Sequence, residues 1–426
     1  MEASLLIIGA FIALFILGFP VIVAILVPSL AYILWNDIPL AMVGQRTIYA
    51  LDSFPLVAVP IFIFVGNLMN SSGITTRIYR FADTAAGRLP GGLAQVNIAG
   101  SLIFSGMSGA ALADVGGLGR VELKAMKEHG FDMPFSCALT CSSAIVGPIF
   151  PPSIPLIIYA AVAGVSSVKL LLAGIGPALV CVAMLSITVA ILGVLRGYPR
   201  AARWPTPREV WRDFVPAAPA LFTPVLLISG MLLGYFTPTE AAAVTAVYIL
   251  LVSALVYREL DPRHVLSAAI ETIKGTAAIM AIVAVAAMFG WILAVEQMPQ
   301  WFAGWITSIS REPLMLLLIV NIILFIAGMF IDSTTATLLL VPIIAPPVVA
   351  AGVDPIQLGI IVIFNLMIGL VTPPMGLSLF LISDIARVPM PAILRAMIPF
   401  YPPLLITLAI VTLFPAVSLW IPRMMQ

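Results

Sequence analysis

Four short stretches carry the residues with chemical reach in an otherwise apolar chain. Two combine glycine with hydroxyl groups: Phe104-Ser105-Gly106-Met107-Ser108-Gly109 and Ala327-Gly328-Met329-Phe330-Ile331-Asp332-Ser333-Thr334-Thr335. Two carry double prolines: Gly147-Pro148-Ile149-Phe150-Pro151-Pro152-Ser153 and Gly369-Leu370-Val371-Thr372-Pro373-Pro374-Met375. Glycine permits a tight chain reversal. Ser and Thr offer hard oxygen ligands, and the helix after each reversal presents free N–H groups and a positive dipole end, suited to a carboxylate. A double proline removes two N–H donors and frees the preceding carbonyls, at a helix end where the dipole is negative. Hydroxyls and carbonyls together make a cage of neutral oxygens. Such a cage suits Na⁺ better than Zn²⁺, which takes His and Cys. The plainer alternative is close helix packing for the glycines and serines and simple kinks for the prolines.

Other polar residues fall in apolar stretches. Asp332 is a carboxylate at membrane depth, costly and for that reason a functional candidate; its alternative is a cap. Ser142, Ser143 and Asn365 lie just before the double-proline segments. With Asp332 and Thr334 they are the substrate-facing candidates, although each alone is more often a helix-to-helix hydrogen bond. Glu240 follows Thr237-Pro238-Thr239, a pattern that reads as a structural helix cap. Cys137, Cys141 and Cys181 read as buried small hydrophobes. His129 and His264 are the two histidines, both in charged stretches read as loops.

The elements that must position these residues are membrane helices. Of 426 residues, 62% are hydrophobic and 9% charged, against about 25% charged in soluble domains. Only a bilayer accommodates so much apolar surface. A net charge of +1 gives no pull on nucleic acid. Spans are predicted at about 4–34, 53–70, 133–165, 168–195, 214–236, 238–257, 275–296, 355–386 and 390–421, the first as one long or tilted helix and not a signal peptide. Amphipathic segments at 73–88 and 298–311 precede two less regular stretches.

Those stretches resolve when the chain is shifted on itself by 222 positions, the distance from Gly106 to Gly328. Met107 then meets Met329, Gly130 meets Gly352, Asp132 meets Asp354, Gly147 meets Gly369, and Pro151-Pro152 meets Pro373-Pro374. Gly, Pro and Asp matching at one offset indicate an internal duplication. Basic residues orient it. Arg77, Arg80 and Arg88 precede the first irregular stretch, and Arg120, Lys124 and Lys127 lie at its far end. It therefore enters and leaves by the cytoplasmic face, as a re-entrant hairpin. Counting spans from there puts both ends of the second stretch on the opposite face, so the halves are inverted. The expected fold is an all-α polytopic membrane protein of two inverted repeats, the N-terminus inside and the C-terminus outside. The first repeat covers 1–197, with a hairpin at about 92–128 and a broken helix at about 133–165. Residues 198–237 form a cytoplasmic loop and a connecting helix. The second repeat covers 238–426, with a hairpin at about 313–350 and a broken helix at about 355–386. Inverted repeats with broken helices are a mark of secondary transporters.

The runs Ser105–Asp114, Gly147–Pro155, Gly234–Ala243 and Gly369–Gly376 resemble the large membrane subunit (M, DctM-like) of TRAP transporters, the tripartite ATP-independent periplasmic family. The resemblance covers essentially the whole chain. It implies a multi-pass protein of the cell inner membrane that imports small organic anions, carboxylates or sugar acids, by Na⁺ symport and an elevator movement. It also implies two partners, a separate small membrane subunit and a soluble extracytoplasmic substrate-binding protein. Carried over by position, one Na⁺ site takes Ser105 and Ser108 with backbone near Gly147, Phe150 and Pro152. The other takes backbone near Gly328 with Gly369, Thr372 and Met375. Ala327 and Phe330 stand where the first tip has Ser105 and Ser108, so the second site leans on carbonyls and Thr372.

Three other readings fit parts of the sequence. Gly106-Met107-Ser108-Gly109 has the form of an intramembrane serine protease motif, but no base is placed to activate the serine, so an enzyme is not expected. A channel would need a symmetric filter. A stand-alone ion-coupled carboxylate transporter of related architecture is the nearest alternative.

Overall fold

Proline and its preceding residue set where many of the helices begin. Thr206 precedes Pro207–Leu232 and Thr237 precedes Pro238–Leu251. In each, the Thr hydroxyl accepts from a backbone N–H three residues on, and Glu209 or Glu240 accepts from the Thr N–H at 2.8 Å. Proline at the first position gives up an N–H that has no intrahelical partner there, and the reciprocal box satisfies two more. Asp261 and Asp354 cap Pro262–Val295 and Pro355–Gly369 without a box, their carboxylates accepting from the Arg263 N–H and from the Ile356 and Gln357 N–H groups. Glu240 therefore has the capping role its sequence context indicates.

This computed structural model describes residues 2–71, 73–200 and 203–425, and among them the regular structure is helical throughout. Residues 1, 72, 201, 202 and 426, which fall in the predicted repeats and connecting loop, lie outside the described residues. By length and composition seven of the described helices are able to cross a membrane, and Ala41–Leu51 with Phe54–Asn70, bent by 64°, makes a further candidate. Ile175–Leu195 illustrates the solvent. Leu185 and Val189 are buried on one face, while Ile187, Ile191 and Leu195 are exposed at helical spacing on the other. Each exposed side chain would cost roughly 1.5–3 kcal/mol in water, which lipid removes.

After Ala58–Ser71 comes an amphipathic arm, Ile74–Ala86. A hairpin follows, with a first leg Leu93–Ser108 and a returning leg split at Gly117 into Ala111–Gly116 and Leu118–Glu128. A broken helix then runs Met133–Ala144 and Ile154–Ala163. The second half repeats the order: Pro262–Val295, an arm Met298–Ile309, a hairpin Pro313–Phe330 and Ser333–Ala350, and a broken helix Pro355–Gly369 and Leu377–Ala386.

Several predicted boundaries change. The stretch 4–34 is not one spanning helix. Gly18, at φ +85°, and Pro20 divide it into Glu2–Ile16 and Val21–Trp35, which pack against each other as a hairpin. A hairpin returns to the side it starts from, so the span count that put the N-terminus inside no longer follows. The stretch 390–421 ends as a span at Leu413; Phe414-Pro415 breaks it, and Ala416–Met424 folds back against Ser167–Ala173. The helix predicted at 275–296 begins at Pro262, which places His264 in its first turn and not in a loop. The connecting helix starts at Pro207, earlier than the predicted 214.

Candidate functional site

The first hairpin tip closes on the first helix break. Ser105 and Ser108 sit in the last turn of Leu93–Ser108, and Gly109, at φ +63°, turns the chain. A side chain at Gly109 would strike the Pro152 carbonyl, and one at Gly147 would come within 3.5 Å of Ser105 Oγ. The Phe150 ring lies 3.3 Å from where a Cβ at Gly106 would stand. Ile154 N–H donates to the Gly109 carbonyl at 3.4 Å. Ser105, Ser108, Gly147, Phe150 and Pro152 are thus brought together. Ser105 donates to the Ser101 carbonyl at 2.5 Å. Ser108 is 3% exposed and its hydroxyl has no partner, a free oxygen in a closed space.

The second tip meets the second break more closely still. Gly328 and Gly369 touch backbone to backbone: a Cβ on Gly369 would stand 2.6 Å from the Gly328 Cα. Met375 N–H donates to the Met329 carbonyl at 3.2 Å, and Thr372 is buried, its hydroxyl on the Ile368 carbonyl at 2.7 Å. Gly328, Gly369, Thr372 and the Met375 backbone are therefore one cluster, while the Met375 side chain is exposed. The absence of a second pair of tip serines is met by this direct backbone approach. Pro151-Pro152 and Pro373-Pro374 are both cis.

The physical logic is the same at both places. The C-terminal ends of two half-helices converge, Leu93–Ser108 on Met133–Ala144 and Pro313–Phe330 on Pro355–Gly369. Their carbonyl ends carry partial negative charge, and buried carbonyls and hydroxyls without enough donors are hosts for a hard cation. The residues present fit Na⁺ in chemistry. Among the described residues no group of three or more His, Cys, Asp or Glu assembles, so nothing there favours a transition metal.

The five substrate candidates divide. Ser142 donates to the Ala138 carbonyl at 2.7 Å and faces Met397. Ser143 donates to Asn97 Oδ1 at 2.7 Å. Asn365 donates to Asn321 Oδ1 at 2.7 Å. All three are fully buried and tie a hairpin leg or neighbouring helix to the broken helix. Asp332 caps Ser333–Ala350, accepting from the Thr335 N–H at 3.0 Å and its hydroxyl at 2.5 Å. Asp332 and Thr334 are only half-buried. A cavity of about 410 Å³ lies nearby on the second hairpin's returning leg, lined by Asp52, Ser53, Ile158, Leu338 and Pro342.

Glu122 belongs to none of the motifs in the sequence. It lies among Arg120, Lys124 and Lys127 in a stretch that reads as a charged cytoplasmic end, yet it is fully buried. The signal was its spacing: Leu118, Gly119, Glu122, Leu123 and Met126 share the inward face of Leu118–Glu128. Asp114, buried in the same leg, was read only as the end of a family motif.

Comparison with known proteins decides the family. The family model for the DctM component of tripartite ATP-independent periplasmic transporters matches residues 8–417. This chain belongs to that family. The sialic acid TRAP transporter large permease protein SiaM of Vibrio cholerae is 42% identical over 411 residues, 96% of this chain and 95% of that protein. The C4-dicarboxylate TRAP transporter large permease protein DctM of Pseudomonas aeruginosa is 36% identical over 376 residues, 87% of each. In fold, the DctM-family chain is similar to the Alcanivorax borkumensis YdaH transporter, at a TM-score of 0.63 and 15% identity over 90% of this chain and 89% of that one. This TRAP large permease subunit is a multi-pass membrane transport protein, with the inner membrane as the family's expected location, and not an enzyme.

Proposed function

We propose that this subunit imports small organic anions, carboxylates or sugar acids, by Na⁺ symport, with an elevator movement of the hairpins and broken helices against the remaining helices. The observation that carries the reading is the paired meeting of hairpin tip and helix break, at Ser105/Gly147 and Gly328/Gly369. Two closed cages of carbonyl and hydroxyl oxygen, each at converging helix C-termini, suit a monovalent cation. The returning half-helices that start at Ala111, Ser333, Ile154 and Leu377 offer positive dipole ends nearby, which suits an anionic cargo. Among the substrate candidates, half-buried Asp332 and Thr334 lie where cargo can arrive, whereas Ser142, Ser143 and Asn365 are enclosed.

The halves are read as inverted repeats: helix ends recur at the 222-residue offset, with Ser108 and Phe330 closing the first legs and Met133 and Pro355 opening the broken helices. The arm Ile74–Ala86 is bound to the remaining helices by Arg77–Glu259 at 2.7 Å and Arg80–Asp213 at 3.2 Å. Between that arm and the first hairpin the chain turns at Gly91-Gly92, both at positive φ, the joint about which the hairpin is proposed to move. The tripartite family and the naming of its relatives support a small membrane subunit and an extracytoplasmic binding protein as partners.

The test is uptake of labelled organic acids by liposomes holding this chain and its small subunit, with and without an inward Na⁺ gradient and the binding protein. Uptake requiring both is expected. Uptake without a binding protein favours a stand-alone carrier, and binding-protein-dependent uptake indifferent to Na⁺ removes the ion sites.

A further inference from the structure

The returning leg of the first hairpin holds two carboxyl groups that neither cage uses. Asp114 is 1% exposed and Glu122 is 0% exposed. They lie within electrostatic range of each other, on either side of the break at Gly117. Around them is a chain of neutral polar groups. Asn97 Nδ2 donates to Glu122 Oε2 at 2.6 Å and to Thr140 Oγ1 at 2.8 Å. Ser143 donates to Asn97 Oδ1 at 2.7 Å, and Ser101 donates to Ser143 Oγ at 3.0 Å. The Ser101 hydroxyl also faces Asp114 and the Thr140 hydroxyl faces Glu122, so the pair has only neutral hydroxyls and one amide around it. Neither Asp114 oxygen nor Glu122 Oε1 accepts a well-formed hydrogen bond.

Among the described residues no cation faces the pair. Arg120, Lys124 and Lys127 lie on the exposed face of the same leg. Leu93–Ser108 brings only neutral polar groups, and Met133–Ala144 brings the thiols of Cys137 and Cys141. From the arm comes the Tyr79 phenol, in electrostatic range of Glu122 and itself without a partner; Asp83 of that arm lies beside Tyr79. Leu377–Ala386 carries Asp384, exposed and paired with Arg387. Two enclosed carboxylates without a counter-charge cannot both stay ionised. Too few donors for four carboxyl oxygens and no positive charge call for the same thing, a hydrogen on a carboxyl oxygen.

We propose that Asp114 and Glu122 form a proton site within the first hairpin, loaded and unloaded during transport. Unloading breaks one carboxyl O–H bond; the proton passes to water on the side the hairpin faces, and a carboxylate remains. The inference rests on the transport reading above but not on Na⁺ being the driving ion. The site communicates with the first cage through one helix turn: Ser101 faces Asp114, and the Ser101 carbonyl accepts the Ser105 hydroxyl. A carboxylate left there attracts a cation in the cage, and by linkage a cation in the cage favours loss of the proton.

Infrared pH-difference spectroscopy on the purified full-length chain tests this without substrate or partner. The expected result is a protonated-carboxyl C=O band that appears as pH falls from about 9 to about 5 and is lost in Asp114→Asn or Glu122→Gln. Addition of Na⁺ should shift its appearance to lower pH. In liposomes, the pH dependence of uptake should flatten in both variants. A carboxyl band constant across that range, removed by these substitutions, would mean a permanently held structural proton and overturn the proposal. Absence of any such band from the wild-type chain would mean two ionised groups held by a metal ion, and overturn it equally. The wild-type spectrum alone can do either, so a variant that fails to fold does not shelter the idea. Uptake that proves indifferent to Na⁺ would end the symport reading while leaving the titrating band in place.

Discussion

Replacing Gly369 by alanine puts a methyl group into the meeting of the second tip and the second break. Its carbon would stand 2.6 Å from the Gly328 Cα and closer to the Gly328 carbonyl. Carbon atoms out of bonding rest at about 3.5–4.0 Å, so the two backbones must part by about 1 Å. Neither neighbour is the free end of a flexible side chain, and overpacking of this kind costs about 1–3 kcal/mol. The cost falls where Gly328 and Thr372 are proposed to hold Na⁺. At 1.4 kcal/mol per tenfold, the Na⁺ half-saturation of uptake should rise between about fivefold and a hundredfold. The assay is Na⁺-dependent uptake in liposomes, with Gly304→Ala beside it. A Cβ at Gly304 meets nothing within 4 Å, so that variant should behave as wild type. A folded Gly369→Ala chain with unchanged Na⁺ half-saturation would refute the assignment of the second cage.

Further outcomes follow from the same geometry. Ser108→Ala removes a buried hydroxyl that has no partner; the melting temperature should hold or rise slightly, while Na⁺ dependence weakens, and loss of stability with intact Na⁺ dependence would reverse the interpretation. Thr372→Val keeps shape but loses Oγ1, and should raise the Na⁺ half-saturation about tenfold while Thr372→Ser stays near wild type; equal behaviour of the two would exclude an oxygen-ligand role. Hydrogen bonds from Arg77 hold the Glu259 carboxyl below its ordinary range. With the native value depressed, the stabilisation is complete above the unfolded value of about 4.3 and fades as pH falls through the lower native value. The pair is exposed, so Glu259→Gln should cost under about 1 kcal/mol near neutrality, with the melting gap closing below about pH 4; a gap that widens on acidification would contradict this.

What sequence made legible was backbone chemistry. Gly106 to Gly109 and Gly328 to Ser333 are residues that reverse a chain, and Pro151-Pro152 and Pro373-Pro374 cannot continue a helix. Their recurrence at one offset is what marked the four local signals as one candidate site. What escaped was set by partners far along the chain. Hydropathy ran Glu2–Ile16 and Val21–Trp35 together because a turn at Gly18 changes no polarity. Ala416–Met424 doubles back because of Phe414-Pro415, a short signal inside an apolar run. Glu122 was masked by charged neighbours that point the other way, although it shares the buried face of Leu118–Glu128 and meets Asn97 there. Ser143 and Asn365, 222 positions apart, each donate to an asparagine on the first leg of the neighbouring hairpin, Asn97 and Asn321, a pairing visible only in the fold.

The most direct test of the central claim is the melting temperature of the purified chain in NaCl against choline chloride at equal ionic strength. An ion that binds the folded chain stabilises it by about 2.7 kcal/mol at a hundred times its dissociation constant. A saturable, Na⁺-specific rise is expected, reduced in part by Ser105→Ala, in part by Thr372→Val, and abolished by the two together. No difference between Na⁺ and choline, or a rise that survives the double substitution, would contradict the placing of Na⁺ where the hairpin tips meet the helix breaks.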